Sequence, residues 1–208
     1  DSDAGVLFMH NEGYSTMCGH GIIAVVTMAL ERGLIVPRGG GGVVVLDAPA
    51  GQIRARAEIR REGDRTRVER VSFVNVPSFT LCAAVPVRLG GREIRADVAF
   101  GGAFYAIVDA ESAGMAVRPE HLNELRRAGM AIKHAVEAAV PVVHPLEPEL
   151  RGIYGTIISE PPRTAKGSAS IRLRIRSAAR RAVSIGVSCM STTTSSPPFP
   201  RVSRGLTW

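Results

Sequence analysis

Residues 19–30, GHGIIAVVTMAL, constrain this chain more than any other stretch. They are apolar almost all round and have helical length, and Glu31-Arg32-Gly33 closes them with a capping glycine. A helix without a polar face belongs inside a fold, under a cover built from other elements.

Strand signals supply that cover. Residues 5–9 read as a short buried strand and 43–46 as an apolar run, while 52–59 and 67–76 alternate with period two. Residues 93–100 and 103–108 form a further pair broken by Gly101-Gly102, and 39–42 and 61–64 read as turns. Pro119 fits a first helical position, followed by Leu122, Leu125, Ala128, Met130, Ile132 and Val136 on one face of a second helix. The expected fold class is therefore α+β: a barrel-like, β-rich domain of twisted strands around one buried helix. Residues 140–149 contain three prolines and read as a linker, and 153–158 read as the first strand of a second domain. The expected limits are 1–148 for the first domain, 149–169 for the start of the second and 170–208 for a basic tail.

The formal charge of +7 is unevenly spread. Residues 151–208 hold nine Arg and one Lys against the single acid Glu160, or +9, which leaves −2 for residues 1–150. A basic tail is one feature of nucleic-acid-binding proteins, so a non-enzymatic binding module stands as an alternative resting only on residues 163–204. The pattern itself decays after Glu160: 171–176 alternate as a two-sided strand would, no usable periodicity follows them, and 191–200 have a disordered composition. No apolar run reaches the roughly 18 residues of a membrane helix, and no basic-then-apolar leader opens the chain, so no membrane partner is expected. Cys18, Cys82 and Cys189 follow no repeated spacing, which argues for a reducing, cytoplasmic setting rather than a disulfide framework. No metal-ligand spacing is present, and Lys133 and Lys166 are the only lysines that a Schiff-base cofactor could use; neither metal nor cofactor is expected.

The candidate site is Met17-Cys18-Gly19-His20-Gly21, at the entrance to the apolar helix. A helix N-terminus offers free N–H donors and a positive dipole end, which favour a cysteine's thiolate form. Glycines on both sides of His20 leave room for a small substrate to reach the backbone amides, which can bind a carboxylate. The thiolate can then serve as nucleophile or base, with His20 in reach of substrate or thiol. The plainer alternative is that Cys18 is a small buried hydrophobe.

The segment His10-Asn11-Glu12-Gly13-Tyr14-Ser15-Thr16-Met17-Cys18-Gly19-His20-Gly21 closely resembles the first active-site motif of the proline racemase family. Two further blocks resemble the same family: Gly101-Gly102-Ala103-Phe104-Tyr105-Ala106, and residues 150–158 around Tyr154-Gly155-Thr156. The resemblance covers roughly residues 3–160. It implies a cofactor-independent enzyme of the diaminopimelate epimerase type, built from two similar α/β domains, the second truncated here, that hold a small imino acid between them. A homodimer is a further expectation. Cys18 matches the catalytic cysteine of the first domain, and Gly19 and His20 match substrate-contacting positions beside it. In the family, a second cysteine facing the first across the α-carbon gives racemisation or epimerisation, and a threonine there gives dehydration of trans-3-hydroxy-L-proline. The wording of residues 10–15 resembles the dehydratase branch.

Two of the family's motifs, Gly-Gly-Glu-Pro and Asp-Arg-Ser-Pro-Cys/Thr-Gly, do not occur among the 208 residues, and Cys189 does not match the second. A shifted reading frame after about residue 169 would account for this. Residues 171–176 can be encoded so that reading one nucleotide later gives Ser-Val-Cys-Val-Phe, which resembles the strand before that second motif. On that expectation the present chain lacks half its active site.

Other side chains have plainer readings. Cys82 is expected in the core, and Phe104 and Tyr105 are expected there too, with lining of the pocket as the alternative for both. Tyr14 is expected to pack rather than catalyse. His121, His134 and His144 are expected in solvent. His10 and Glu12 either orient the active-site loop or cap it. Gly101-Gly102 answers a turn requirement better than a phosphate loop, because no helix starts after it.

Overall fold

Residues 1–11, 13–37 and 42–161 are described by the structure, a computed structural model. Within them the chain divides into two compact units: residues 1–77 with 101–103, and residues 78–100 with 104–161. The expected tail from residue 170, the alternating run 171–176, Cys189 and Glu12 lie outside the described residues.

In the first unit, α1 (Gly19–Glu31) lies on a four-stranded sheet ordered β1-β4-β5-β6. Its strands are β1 (Ala4–Gly5), β4 (Val43–Ala48), β5 (Gly51–Glu62) and β6 (Arg65–Val74). β1 runs parallel to β4, and the other pairings are antiparallel. Alternation along β5 buries Ile53, Ala55 and Ala57 and leaves Gln52, Arg54, Arg56 and Glu58 in solvent. The inward residues meet Ile22, Val26 and Leu30 of α1 together with Val44, Leu46, Val71 and Phe73. Each fully buried aliphatic side chain contributes about 1.5–3 kcal/mol. Glu31 ties the far end of α1 to the sheet: its carboxylate accepts from the Val68 N–H at 3.0 Å and faces Arg67 at 3.6 Å. The run expected as one strand at 5–9 is split between β1 and β2 (Phe8–His10), and β2 forms a small antiparallel hairpin with β3 (Gly13–Ser15).

All-round burial of α1 is not what the described residues show. Ile22, Val26, Ala29 and Leu30 are buried, whereas Ala24 and Met28 on the other side are exposed. Nor do all the strands serve that helix, because those at 92–109 belong to the second unit.

The second unit orders its sheet β10-β9-β8-β7, from β7 (Phe79–Leu89), β8 (Arg92–Phe100), β9 (Phe104–Asp109) and β10 (Ile153–Ser159). β10 is parallel to β9, and the other pairs are antiparallel. A 3-10 turn at Pro119–His121 leads into α2 (Leu122–Ala139), whose Ala128, Ile132 and Val136 recur every four residues and are buried. Glu137 accepts from the Ile153 N–H at 2.8 Å, and the Thr156 hydroxyl donates to the Gly129 carbonyl at 2.7 Å, fastening α2 to β10. β7 had no sequence signal because Pro86 interrupts it and two bulges break its alternation. It is an edge strand of this sheet, where a missing N–H is tolerated. At the second bulge Ala84 takes a positive φ of 55°, its N–H donating to Asp97 at 2.8 Å.

Residues 140–149 are not a free linker. Gly152 N–H donates to Val142 O at 2.8 Å and His144 N–H to Leu150 O at 2.9 Å, closing a turn that buries Val142 and Leu150. The expected limit at residue 148 thus falls inside the second unit. His121 and His134 stand largely in solvent beside Glu124 and Glu137, as expected. His144 departs from expectation. Its ring packs against Phe79 at 5.1 Å and Phe100 at 4.8 Å, in a cluster completed by the buried Phe104. Its Nδ1 accepts from the N–H groups of Leu146 and Glu147 at 3.3 and 3.1 Å.

Desolvation lowers the His144 pKa below its ordinary 6.5, with the Glu147 charge opposing. The folded state therefore binds fewer protons than the unfolded chain just below pH 6.5. The stability contribution of neutral His144 is complete above that pH and is lost as pH falls through the folded value. Urea unfolding of the chain at pH 7.5 and 5.0 should show a steeper loss for the native protein than for His144→Asn, whose amide oxygen can accept the same N–H groups without titrating. Equal losses would remove His144 from the pH dependence.

Candidate active site

The hairpin of β2 and β3 delivers the chain to α1 through a short segment held at every residue. Ser15, only 6% exposed, donates its hydroxyl to Met17 O at 3.0 Å. Thr16 donates its hydroxyl to the Gly102 carbonyl, and its own carbonyl accepts from the Ala50 N–H at 3.1 Å. Cys18 then takes an extended conformation, φ −143° and ψ 110°, and becomes the N-cap of α1. Its carbonyl accepts the Ile22 N–H at 3.0 Å, and its Sγ accepts the Gly21 N–H at 3.4 Å. Oxygen side chains usually hold this capping position, so a sulfur there is an unusual choice for helix stability alone.

The thiol is in no disulfide and is partly exposed. Gly19 and His20 follow it in the first turn, and His20 is exposed. Helix geometry gives the N–H groups of these two residues no partner within the helix, so they remain suited to a carboxylate. An N–H aimed at sulfur orients the side chain, and a cysteine removes protons or attacks carbon in its thiolate form. Among the described residues no three His, Cys, Asp or Glu side chains group as metal ligands.

Two glycines are set by close approach. A Cβ on Gly21 would stand 2.5 Å from Cε1 of the Phe8 ring. Gly102 has φ +102°, and a Cβ there would meet the Met17 side chain at 2.7 Å. The Gly101-Gly102 pair therefore serves as a turn, as expected, and that turn backs the cysteine segment. Asn75 adds to it: its side-chain amide donates to Gly101 O at 2.9 Å, while its Oδ1 accepts from the Val76 N–H at 2.9 Å.

Cys18, Gly19 and His20 thus stand together at one helix end. Other candidates do not join them. Tyr14 is 71% exposed rather than packed, and His10 is exposed at the hairpin. Phe104 and Tyr105 belong to the second unit, the first in its aromatic core and the second edge-on to Tyr154 at 5.7 Å. Cys82 is buried, as expected. Sequence reading missed Phe8, Thr16 and Asn75, whose contacts join residues far apart along the chain and leave no local pattern.

The Phe8 contact gives a signed prediction. Alanine is worth about 1 kcal/mol more than glycine inside a helix, whereas overpacking costs about 1–3 kcal/mol. Gly21→Ala should therefore lower the thermal unfolding midpoint in the native background and raise it when Phe8 is already alanine. The same sign in both backgrounds would show that the Phe8 ring does not set this glycine.

Comparison with known proteins bears on the whole arrangement. The chain is 47% identical over 162 residues to trans-3-hydroxy-L-proline dehydratase of Bacillus cereus, covering 78% of this chain and 47% of that protein. A protein of the same name from Burkholderia cenocepacia is 43% identical over 166 residues, with coverage of 79% and 48%. This chain therefore spans about half the length of these curated relatives. Among solved structures it is similar to a probable proline racemase from Agrobacterium radiobacter with bound carbonate. The TM-score is 0.70 and the identity 32%, over 80% of this chain and 48% of that one. A hydroxyproline epimerase from Agrobacterium vitis with bound trans-4-hydroxy-L-proline gives 0.67 and 31%, over 77% and 46%. The family model described as proline racemase matches residues 1–182. With the fold, the three motif blocks and a match over most of its length in agreement, this chain belongs to the proline racemase family.

Proposed function

We propose that the whole protein from which these residues come dehydrates trans-3-hydroxy-L-proline without a cofactor, with Cys18 as the base. What carries the reading is Cys18 as the sulfur cap of α1 in a chain 43–47% identical to relatives named for that dehydration. The substrate carboxylate binds the N–H groups of Gly19 and His20. Sγ of Cys18 takes the α-proton, the carbon–carbon double bond forms as the 3-hydroxyl departs with the C–O electron pair and takes up a proton to leave as water, and the resulting enamine tautomerises to an imine. The α-proton is a weak acid, so fixed donors at the carboxylate and exclusion of water supply much of the rate. Two free cysteines among the described residues suit a cytoplasmic setting. No helix among the described residues is long and apolar enough to cross a membrane.

Racemisation or epimerisation is the second reading, supported by the names of the two solved structures at 31–32% identity. The residue after Asp-Arg-Ser-Pro separates the two. Sequencing the coding DNA from about codon 160 onward should reveal a one-nucleotide correction that restores this motif followed by Thr. A Cys there would transfer the reading to racemase or epimerase, and an unchanged frame would remove the frame-shift explanation of the basic tail.

The 208 residues alone should turn over little or none of the substrate, because the motif that faces Cys18 in the family is not among them. Measurable dehydration by this chain would overturn that expectation. In the frame-corrected, full-length protein, Cys18→Ser should lower kcat at least about a thousandfold, as loss of a catalytic base does. Turnover by the serine variant close to that of the native enzyme would exclude Cys18 as the base.

A further inference from the structure

We infer that Thr16 and Asn75 are positioning residues that set the reactivity of Cys18 by clamping the 101–102 turn behind it. This rests on the proposed role of Cys18 as the base. Two side chains from separate parts of the first unit hold consecutive carbonyls of one turn: Thr16 donates to Gly102 O, and Asn75 donates to Gly101 O at 2.9 Å. Gly102 is held at φ +102°, and a Cβ there would come within 2.7 Å of the Met17 side chain. The turn therefore fits one placement of Met17, and Met17 is covalently joined to the capping cysteine.

The geometry at Cys18 is sensitive to that placement. The Gly21 N–H reaches Sγ at 3.4 Å only while Cys18 keeps its extended φ and ψ. A sulfur hydrogen bond weakens with small displacements, and the orientation of Sγ loosens with it. Ser15 and Ala50 fix the same segment through separate contacts, to Met17 O and Thr16 O. Loss of the clamp leaves those contacts intact, so the helix forms while its cap loosens. Neither Thr16 nor Asn75 needs to touch substrate.

The test uses iodoacetamide on the 208-residue chain, with alkylation of Cys18 followed by peptide mass spectrometry across pH. Thr16→Val keeps the shape and removes the donor. Asn75→Asp keeps the acceptor for the Val76 N–H and removes the donor to Gly101 O. Each should slow Cys18 alkylation by about tenfold across the rate-against-pH curve, the scale of one hydrogen bond to a charged group. Thr16→Ser should restore the native rate and curve.

Native rates and pH profiles in folded Thr16→Val and Asn75→Asp would overturn the proposal. If Thr16→Val loses its folded circular dichroism spectrum, Asn75→Asp carries the same test. Loss of the folded state in both would overturn a positioning role in favour of a structural one. No substrate enters this experiment. A full-length enzyme that fails to dehydrate trans-3-hydroxy-L-proline strikes the functional reading alone, and unchanged alkylation in the variants strikes the clamp alone.

Discussion

The packing of α1 on β4, β5 and β6 is the constraint on which the first unit depends. Ile22, Val26 and Leu30 enter a layer made by Ile53, Ala55, Val71 and Phe73, and this fixes the axis of the helix. Once the axis is fixed, so is the position of its N-terminus, and with it the direction of the first-turn N–H groups. Polar contacts at the ends refine this placement. Glu31 holds the C-terminal end to β6, and Cys18 caps the N-terminal end. Apolar burial supplies the larger energy and the capping contacts the finer geometry.

The proposed chemistry at Cys18 would put a stability device to another use. An N-cap side chain ordinarily accepts an N–H to complete the helix. Here sulfur is the acceptor, and the glycine that donates to it is held without a side chain by the Phe8 ring. Helix termination and the placing of an accessible sulfur become one feature. Membership of the proline racemase family places that feature among relatives whose names describe chemistry on proline-type imino acids.

The second unit is organised differently. Its core mixes aliphatic side chains with a cluster of Phe79, Phe100, Phe104 and His144. The polar ring of His144 is admitted because two backbone N–H groups satisfy its Nδ1. A histidine in a proline-rich stretch reads as solvent-facing from sequence. The turn closed by Gly152 and Val142 brings it inward, and no local signal announces a contact made by closure of the chain.

By itself the sequence determined the features that depend on neighbouring residues. The apolar run before Gly33 specified α1, the alternation of 52–59 and 67–76 specified two strands, and Pro119 marked where a helix begins, because periodicity and capping act within a few residues. The motif around Cys18 was legible for the same reason: its parts are contiguous. Tertiary structure alone decided the division of strands between two sheets, the edge position that admits Pro86 in β7, and the inward turn of His144. It also placed Gly102 behind Met17, 85 positions earlier in the chain. These are contacts across long loops, set by which surfaces meet when the apolar faces are buried, and the energy that selects them belongs to the packed whole.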